Sequence, residues 1–366
     1  MRYLSAHYVF PISSPPFRNG IICVNDDGCI VDVIDTGGKL DERERLEFYN
    51  GILVPGFVNA HCHLELSHLR KAIKPHGGLS DFIMSIVSMR KANREIILDA
   101  AKFADEEMTK NGIVAVGDIS NNVDTLEIKC NSRIRYRTFI EMFGLNGNRA
   151  KKIFDVAQRV KQEYDHAGMS ASLAPHAVYS LSQRLWKLLH QSYKSSSPHV
   201  ISMHHQERSE EMKFNHQNCL QEASRCLLVH NTFSTKNDLQ EYASEPKKFY
   251  FTLCPSSNLF IQNRLPNLQL FASQELCENT SLGTDSLASN TNLSILEEMK
   301  IIQQHAPEIS LETLLRWATL NGARALAFDR MLGCFEKEKT PGINLITGVD
   351  FEKMRLTDES AVEKLV

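Results

Sequence analysis

The 366-residue chain sets 41 Lys and Arg against 44 Asp and Glu, a net charge of -3, so no electrostatic reason favours nucleic acid or an anionic membrane. No run approaches the ~20 apolar residues that span a bilayer, and residues 1–7 lack the basic-then-apolar plan of a secretory signal. Nine cysteines, odd in number and without a Cys-x-x-Cys pair, point to reduced thiols in a cytoplasmic protein.

In chain order, residues 1 to 50 hold short β-type runs at 8–10, 20–24 and 29–34, separated by Pro and Gly-Gly turns. This predicts a small antiparallel layer. From residue 51 onward apolar strands alternate with longer amphipathic segments. The strands fall at 53–61, 113–119, 134–142, 170–176, 199–204, 226–231, 248–254 and 280–285. Helices fall between them at 83–110, 148–165, 181–193 and 293–304, with Ser195–Pro198 a loop. Eight strand–helix alternations over roughly 250 residues predict an α/β fold, a (β/α)8 TIM-type barrel. A last helix at 311–328 precedes a tail whose strand at 342–347 can rejoin the N-terminal layer. The expected organisation is a catalytic barrel, 53–330, and a small β-sandwich built from both chain ends, 1–52 with 331–366.

His61-Cys62-His63 closes the apolar run that starts at Ile52. Side chains two apart on a strand share a face, so both imidazoles emerge together at its C-terminal end. His176, His204 with Glu207, His230, Asn258 and Asp285 fall at the same ends of later strands, where such barrels keep their chemistry. Three imidazoles and one carboxylate suit one divalent ion and leave a position for water. Cys62 points to the opposite face and reads as a core thiol, and His205 reads as packing. His68, His76 and His216 read as surface residues. Arg137 and Glu141 alternate with apolar neighbours on the third strand and are candidates for the pocket floor.

The segments Val54–Glu65, Ala174–Ser180, Met203–Glu207, Leu227–Asn231, Cys254–Asn258 and Leu282–Ser286, with the tail Ala318–Leu326 and Gly333–Glu336, resemble the amidohydrolase superfamily in its branch of metal-dependent deaminases and chlorohydrolases. The resemblance covers nearly the whole chain. It implies His61, His63, His204 and Asp285 as metal ligands, Glu207 as proton shuttle and His230 as partner of the nucleophile. No lysine stands at the fourth-strand rim, where binuclear members carry a carbamylated one, which favours a single ion, zinc with iron as the alternative. The stretch Lys339–Asn344 departs from the usual wording of the family tail and concerns only the accessory layer.

Deamination of an aromatic amidine needs a hydroxide, a proton on the ring nitrogen and a proton for departing ammonia. Asp285 can take the proton of water, His230 can hydrogen-bond the nucleophile, and Glu207 can act as acid and base. His176 resembles the substrate-contacting histidine of S-adenosylhomocysteine and methylthioadenosine deaminases. The loop His63–Ser67 is closer to aminodeoxyfutalosine deaminases. Glu65 either binds a ribose hydroxyl or caps its turn, Asn258 joins the substrate contacts, and residues 70–83 form part of a lid. The expected enzyme is a cytoplasmic aminohydrolase of an aminopurine nucleoside, a homodimer by family analogy, taking a small-molecule substrate and neither nucleic acid nor membrane. The alternatives are a deaminase of a free base such as guanine or cytosine, a cyclic-amide hydrolase, or a non-catalytic metal-binding scaffold.

Overall fold

The apolar run before His61 does not form one strand. It breaks at Gly56 into two strands that belong to different sheets, and the crossing is tight enough to need glycine, since a Cβ at Gly56 would collide with Val114 and with the Pro341 carbonyl. The computed structural model describes residues 1–40, 44–195, 200–213, 222–244 and 248–366. Its strands are β1 (Arg2–Val9), β2 (Phe17–Arg18), β3 (Ile21–Val24), β4 (Ile30–Ile34), β5 (Leu46–Pro55), β6 (Phe57–Cys62), β7 (Ile113–Ser120), β8 (Arg135–Met142), β9 (Ser170–Pro175), β10 (Val200–His205), β11 (Arg225–His230), β12 (Phe249–Leu253), β13 (Thr280–Leu282), β14 (Ile343–Asp350) and β15 (Arg355–Lys364). The helices are α1 (Gly78–Met89), α2 (Arg94–Lys110), α3 (Leu126–Asn131), α4 (Ala150–His166), α5 (Gln183–Ser195), α6 (Lys236–Ala243), α7 (Pro255–Gln262), α8 (Leu268–Phe271), α9 (Ile295–His305), α10 (Leu311–Arg316) and α11 (Gly322–Ala325).

All eight expected strands therefore form, most within a residue or two of their expected bounds. They pair in parallel as two four-stranded sheets, β6-β7-β8-β9 and β10-β11-β12-β13. Isolated parallel bridges link the sheets at both edges, Ala177 to His204 and Cys62 to Asp285. At the second edge Thr284 and Asp285 both donate their N–H to the His61 carbonyl, at 3.1 and 3.0 Å. Gly283 permits this approach, since a Cβ there would lie 2.9 Å from the Cβ of His61.

The two chain ends share one seven-stranded sheet in the order β15-β14-β5-β1-β3-β4, with β2 beside β1. The expected rejoining of the tail occurs through β14, which runs antiparallel to β5 from Ile343 opposite Pro55 to Ile346 opposite Ile52. The strands of both ends belong to this one hydrogen-bonded sheet, and the expected sandwich is not shown. The β5 strand also runs through the expected 52/53 division to Pro55.

The helix expected over 83–110 is two helices. The Asn93 side chain accepts the Glu95 N–H and starts α2 afresh, an N-cap that outcompetes helical continuation. The helix expected over 311–328 stops at Ala325 and contains a π-helical turn, Trp317–Asn321. Within it Trp317 is fully buried and donates its indole N–H to the Cys277 carbonyl at 3.1 Å. Apolar faces of α2, α4, α5 and α9 pack on the strands through residues such as Met108, Phe154, Leu185 and Met299. Each buried side chain of this size contributes on the order of 1.5–3 kcal/mol. The Ser196–Pro198 part of the expected loop lies outside the described residues.

Candidate active site

Four donor atoms converge at the C-terminal ends of the central strands. His61 Nε2 and His63 Nε2 lie 3.2 Å apart, and Asp285 Oδ1 is 3.6 Å from the first and 3.4 Å from the second. His204 stands over them, its ring centroid 5.0 Å from that of His61 and 5.4 Å from that of His63. Tetrahedral ligation at about 2.0–2.1 Å would place neighbouring donors roughly 3.3–3.4 Å apart. The spacings of the His61, His63 and Asp285 donors match, and a ring nitrogen of His204 lies within 4.8 Å of one of His61, so these residues fit a single divalent ion. His230 also comes within reach, grouping with His61 and His204.

Neighbouring groups fix which atom of each ligand faces inward. His204 Nδ1 donates to the His176 carbonyl at 3.0 Å, which leaves Nε2 for the centre. Asp285 Oδ2 accepts from Ser257 Oγ at 2.6 Å and Ser289 Oγ at 2.7 Å, turning Oδ1 toward the imidazoles. Asn258 Nδ2 donates to the His230 carbonyl at 3.3 Å, so its Oδ1, 3.0 Å from His230 Nδ1, accepts that ring proton. His230 Nε2 is then the lone-pair nitrogen, 3.8 Å from Glu207 Oε1. Burial lowers the His61 and His204 pKa values and takes that of His63 down to about 3, which keeps all three imidazoles in the neutral, metal-binding form.

Several of these side chains sit on unusual backbone. Gln206, His230, Asn231 and Asp285 have φ of 47°, 73°, 55° and 56°, in the left-handed region that non-glycine residues avoid. Such conformations persist only where surrounding structure dictates them, and they cluster at functional sites. Glu207 follows directly. Its N–H is held by Glu211 Oε2 at 2.7 Å and its carbonyl by Gln262 Nε2 at 3.0 Å. Burial raises the Glu207 pKa, favouring a carboxyl that can hand over a proton.

These groups form one end of a pocket of about 350 Å³. His176 lines it with Nδ1 unpartnered, and Glu141 lines it from β8. Toward solvent the wall becomes apolar, with Phe82, Ile83, Ile86 and Val87 of α1 facing Phe143 and Leu145. Of the segment 70–83 expected to contribute to a lid, Leu79, Phe82 and Ile83 line the pocket, and the wall continues along α1 to Arg90.

Glu65 is placed behind the wall, with Oε1 accepting from Arg90 and Oε2 from the Asn121 N–H, both at 3.0 Å. These contacts tie Glu65 to the segments that follow α1 and β7, and not to the turn it was expected to cap. Arg137 turns away from the pocket and donates to the Leu326 carbonyl at 2.7 Å. His205 packs against Tyr242 and bonds Asn231 Oδ1, and Cys62 is buried with its thiol pKa pushed well up by burial. His76 is exposed as expected, whereas His68 is half-buried; His216 lies outside the described residues.

Sequence reasoning missed Ser257, Ser289, Glu211 and Arg90. Ser257 adjoins Asn258 and Ser289 lies four residues beyond Asp285, but short hydroxyl residues give no pattern until the fold aims them. It also missed Lys129, buried on α3 and paired with Asp118 at 2.5 Å; Asp118 Oδ1 in turn accepts the Leu64 N–H at 2.7 Å, pinning the peptide that follows His63.

Residues 52–363 match the amidohydrolase family, and the chain belongs to it. It is accordingly a hydrolase acting on carbon–nitrogen bonds. Among curated relatives it is similar to an adenosine deaminase of Helicobacter pylori, 28% identical over 77% of this chain and 76% of the relative. A 5-methylthioadenosine/S-adenosylhomocysteine deaminase of Clostridium tetani is 25% identical over 90% and 80%. Among solved structures, the aminofutalosine deaminase of Helicobacter pylori in complex with methylthio-coformycin superposes with a TM-score of 0.77 at 22% identity, covering 97% of this chain and 94% of that one. An adenosine deaminase from Xanthomonas campestris with bound zinc gives 0.75 at 20% identity, covering 98% and 89%.

Proposed function

We propose that the protein is a mononuclear zinc-dependent deaminase of an aminopurine nucleoside, releasing ammonia from the six-amino position. The observation that carries this is the convergence of His61, His63, His204 and Asp285 beside Glu207 and His230 at one end of a single pocket. The nucleoside reading draws on the relatives, which are deaminases of adenosine and its thioether derivatives. The eight central strands are taken as one closed barrel, on the strength of the bridges at both sheet edges. The terminal sheet is its accessory unit, divided from the barrel at Gly56 and again after α11.

In this reading His61, His63, His204 and Asp285 hold the ion, zinc by the tetrahedral spacing of the donors and iron as the alternative. A divalent cation bound there supplies a hydroxide at neutral pH by lowering the pKa of water from 15.7 to roughly 7. The Asp285 carboxylate, beside the ion, would take up the proton released as the nucleophile forms. His230 Nε2, its other nitrogen fixed by Asn258, accepts a hydrogen bond from the attacking oxygen and aims it at the ring carbon. Glu207 delivers its proton to the ring nitrogen; the carboxylate left behind takes the hydroxyl proton of the tetrahedral adduct and passes it to the leaving amine, and the proton held by Asp285 then restores Glu207. His176 orients the ring from the opposite wall, and the apolar face of α1 excludes water.

The odd count of nine cysteines, none in a Cys-x-x-Cys pair, supports a reducing, cytoplasmic setting. No described helix is long and apolar enough to cross a membrane. A homodimer remains part of the proposal, checked by light scattering of the purified protein.

The test of the activity is ammonia release from adenosine, methylthioadenosine, S-adenosylhomocysteine, an aminodeoxyfutalosine-type nucleoside and the free bases adenine, guanine and cytosine, with metal content measured on the same sample. Turnover of a nucleoside with about one metal per chain is expected. Turnover confined to a free base overturns the nucleoside reading, and metal without turnover of any of them moves the assignment to cyclic amides.

A further inference from the structure

Two buried carboxyls stand near the pocket, and their hydrogen bonding differs. Glu65 has both oxygens engaged, one by Arg90 and one by the Asn121 N–H. Glu141, whose side chain is only 6% exposed, lines the pocket with an Oε1 that has no hydrogen-bond partner. The neighbouring His204 Nδ1, 3.5 Å away, does not serve it, because that proton points at the His176 carbonyl at 3.0 Å. An enclosed acceptor without a donor costs on the order of 1–3 kcal/mol, so a native fold that keeps one beside a ligand cavity calls for an explanation. A substrate donor is the simplest.

The position selects which donor. Polar atoms of Glu141, His176 and His204 lie within 4.8 Å of one another. The reacting carbon of an aminopurine belongs beside Glu207 and Asp285, with N1 next to it. N3 and N9 lie on the far edge of the ring system, flanking a shared carbon, and the sugar leaves from N9. A ring oriented by His176 along its N3 edge therefore presents the sugar hydroxyls to the residue next to His176.

We infer that Glu141 is the specificity-determining residue for the sugar, accepting a hydrogen bond from a ribose hydroxyl, the role sequence reasoning had offered to Glu65. This rests on the nucleoside reading above and adds to it a requirement for a ribo-configured substrate.

The test takes whichever nucleoside turns over best, together with its 2'-deoxy and 3'-deoxy analogues, and measures kcat/KM for the metal-loaded wild type and for Glu141→Ala and Glu141→Gln. Wild type should favour the ribonucleoside over at least one deoxy analogue by ~10–100-fold, the scale of one buried hydrogen bond. Glu141→Ala should lower the ribonucleoside value and leave that deoxy analogue little changed, bringing the ratio to within ~3-fold. Because the readout is a ratio within one protein, a general loss from altered folding or metal content does not mimic it, and the wild-type arm needs no variant. Nucleoside turnover without discrimination, or discrimination that survives in Glu141→Ala, overturns the role of Glu141 and leaves the deaminase standing. Failure of wild type on every nucleoside overturns both.

Discussion

At the floor of the pocket Asp285 is gripped by two serine hydroxyls, His230 by Asn258 and His204 by a main-chain carbonyl, whereas at the mouth Leu145 is 72% exposed and Val87 64% exposed with no polar tether. The floor stands on strand ends whose side chains have one allowed direction. The mouth stands on α1 and on the loop after β8, where apolar side chains can repack. Chemistry that fails when an atom moves by an ångström belongs on the first kind of support, and selection among related substrates can be left to the second.

Removing a ligand is the most severe way to test this contrast. Asp285→Ala or His61→Ala should lose bound metal and bring turnover to background, as read by elemental analysis beside ammonia release; retention of one equivalent of metal with activity would remove the residue from the centre. Chelation of the wild type should have the same effect, reversed by adding zinc. Next in size, Glu207→Gln should keep the metal while kcat falls by ~10²–10⁴-fold, since only proton transfer is removed. Metal loss in that variant would reassign Glu207 as a ligand.

Smaller effects sharpen the comparison. Ser257→Ala and Ser289→Ala each free one side of Asp285 Oδ2 and should cost ~10–100-fold in metal affinity or activity, the usual scale for a group that orients a ligand. Competition with a chromogenic chelator measures the affinity directly; unchanged values would mean that the backbone alone sets the carboxylate. The mildest change is at the mouth. Leu145→Asp should raise KM by up to ~10-fold with kcat and metal content unchanged, consistent with lost apolar contact at a solvent-facing position. A fall in kcat there would make the mouth part of the catalytic alignment and dissolve the contrast.

The same contrast governs what could be read in the sequence. The strand-end positions of His61, His63, His204, His230 and Asp285 were legible because an apolar run followed by polar residues marks the end of a strand. Contacts between distant segments leave no such mark. Arg90 engages Glu65 from another element, and nothing in either local stretch announces the pair. The break at Gly56 was hidden for a different reason: strands of two sheets share one uninterrupted apolar run, and only the crowding by Val114 and Pro341 shows why a glycine separates them. The division of the expected 83–110 helix was available in principle, since Asn93 two residues before Glu95 is an N-cap signal.

The pairing of β14 with β5 carries a consequence for how the chain matures. β5 leads through Gly56 directly into the strand that bears His61 and delivers His63, yet its antiparallel neighbour is made only much later in the chain. At ~5–20 residues per second, a ribosome needs roughly 15–60 s for the roughly 290 residues between the end of β5 and the start of β14. For most of that interval one edge of β5 has no native partner, and the nascent chain presents an open strand to its surroundings.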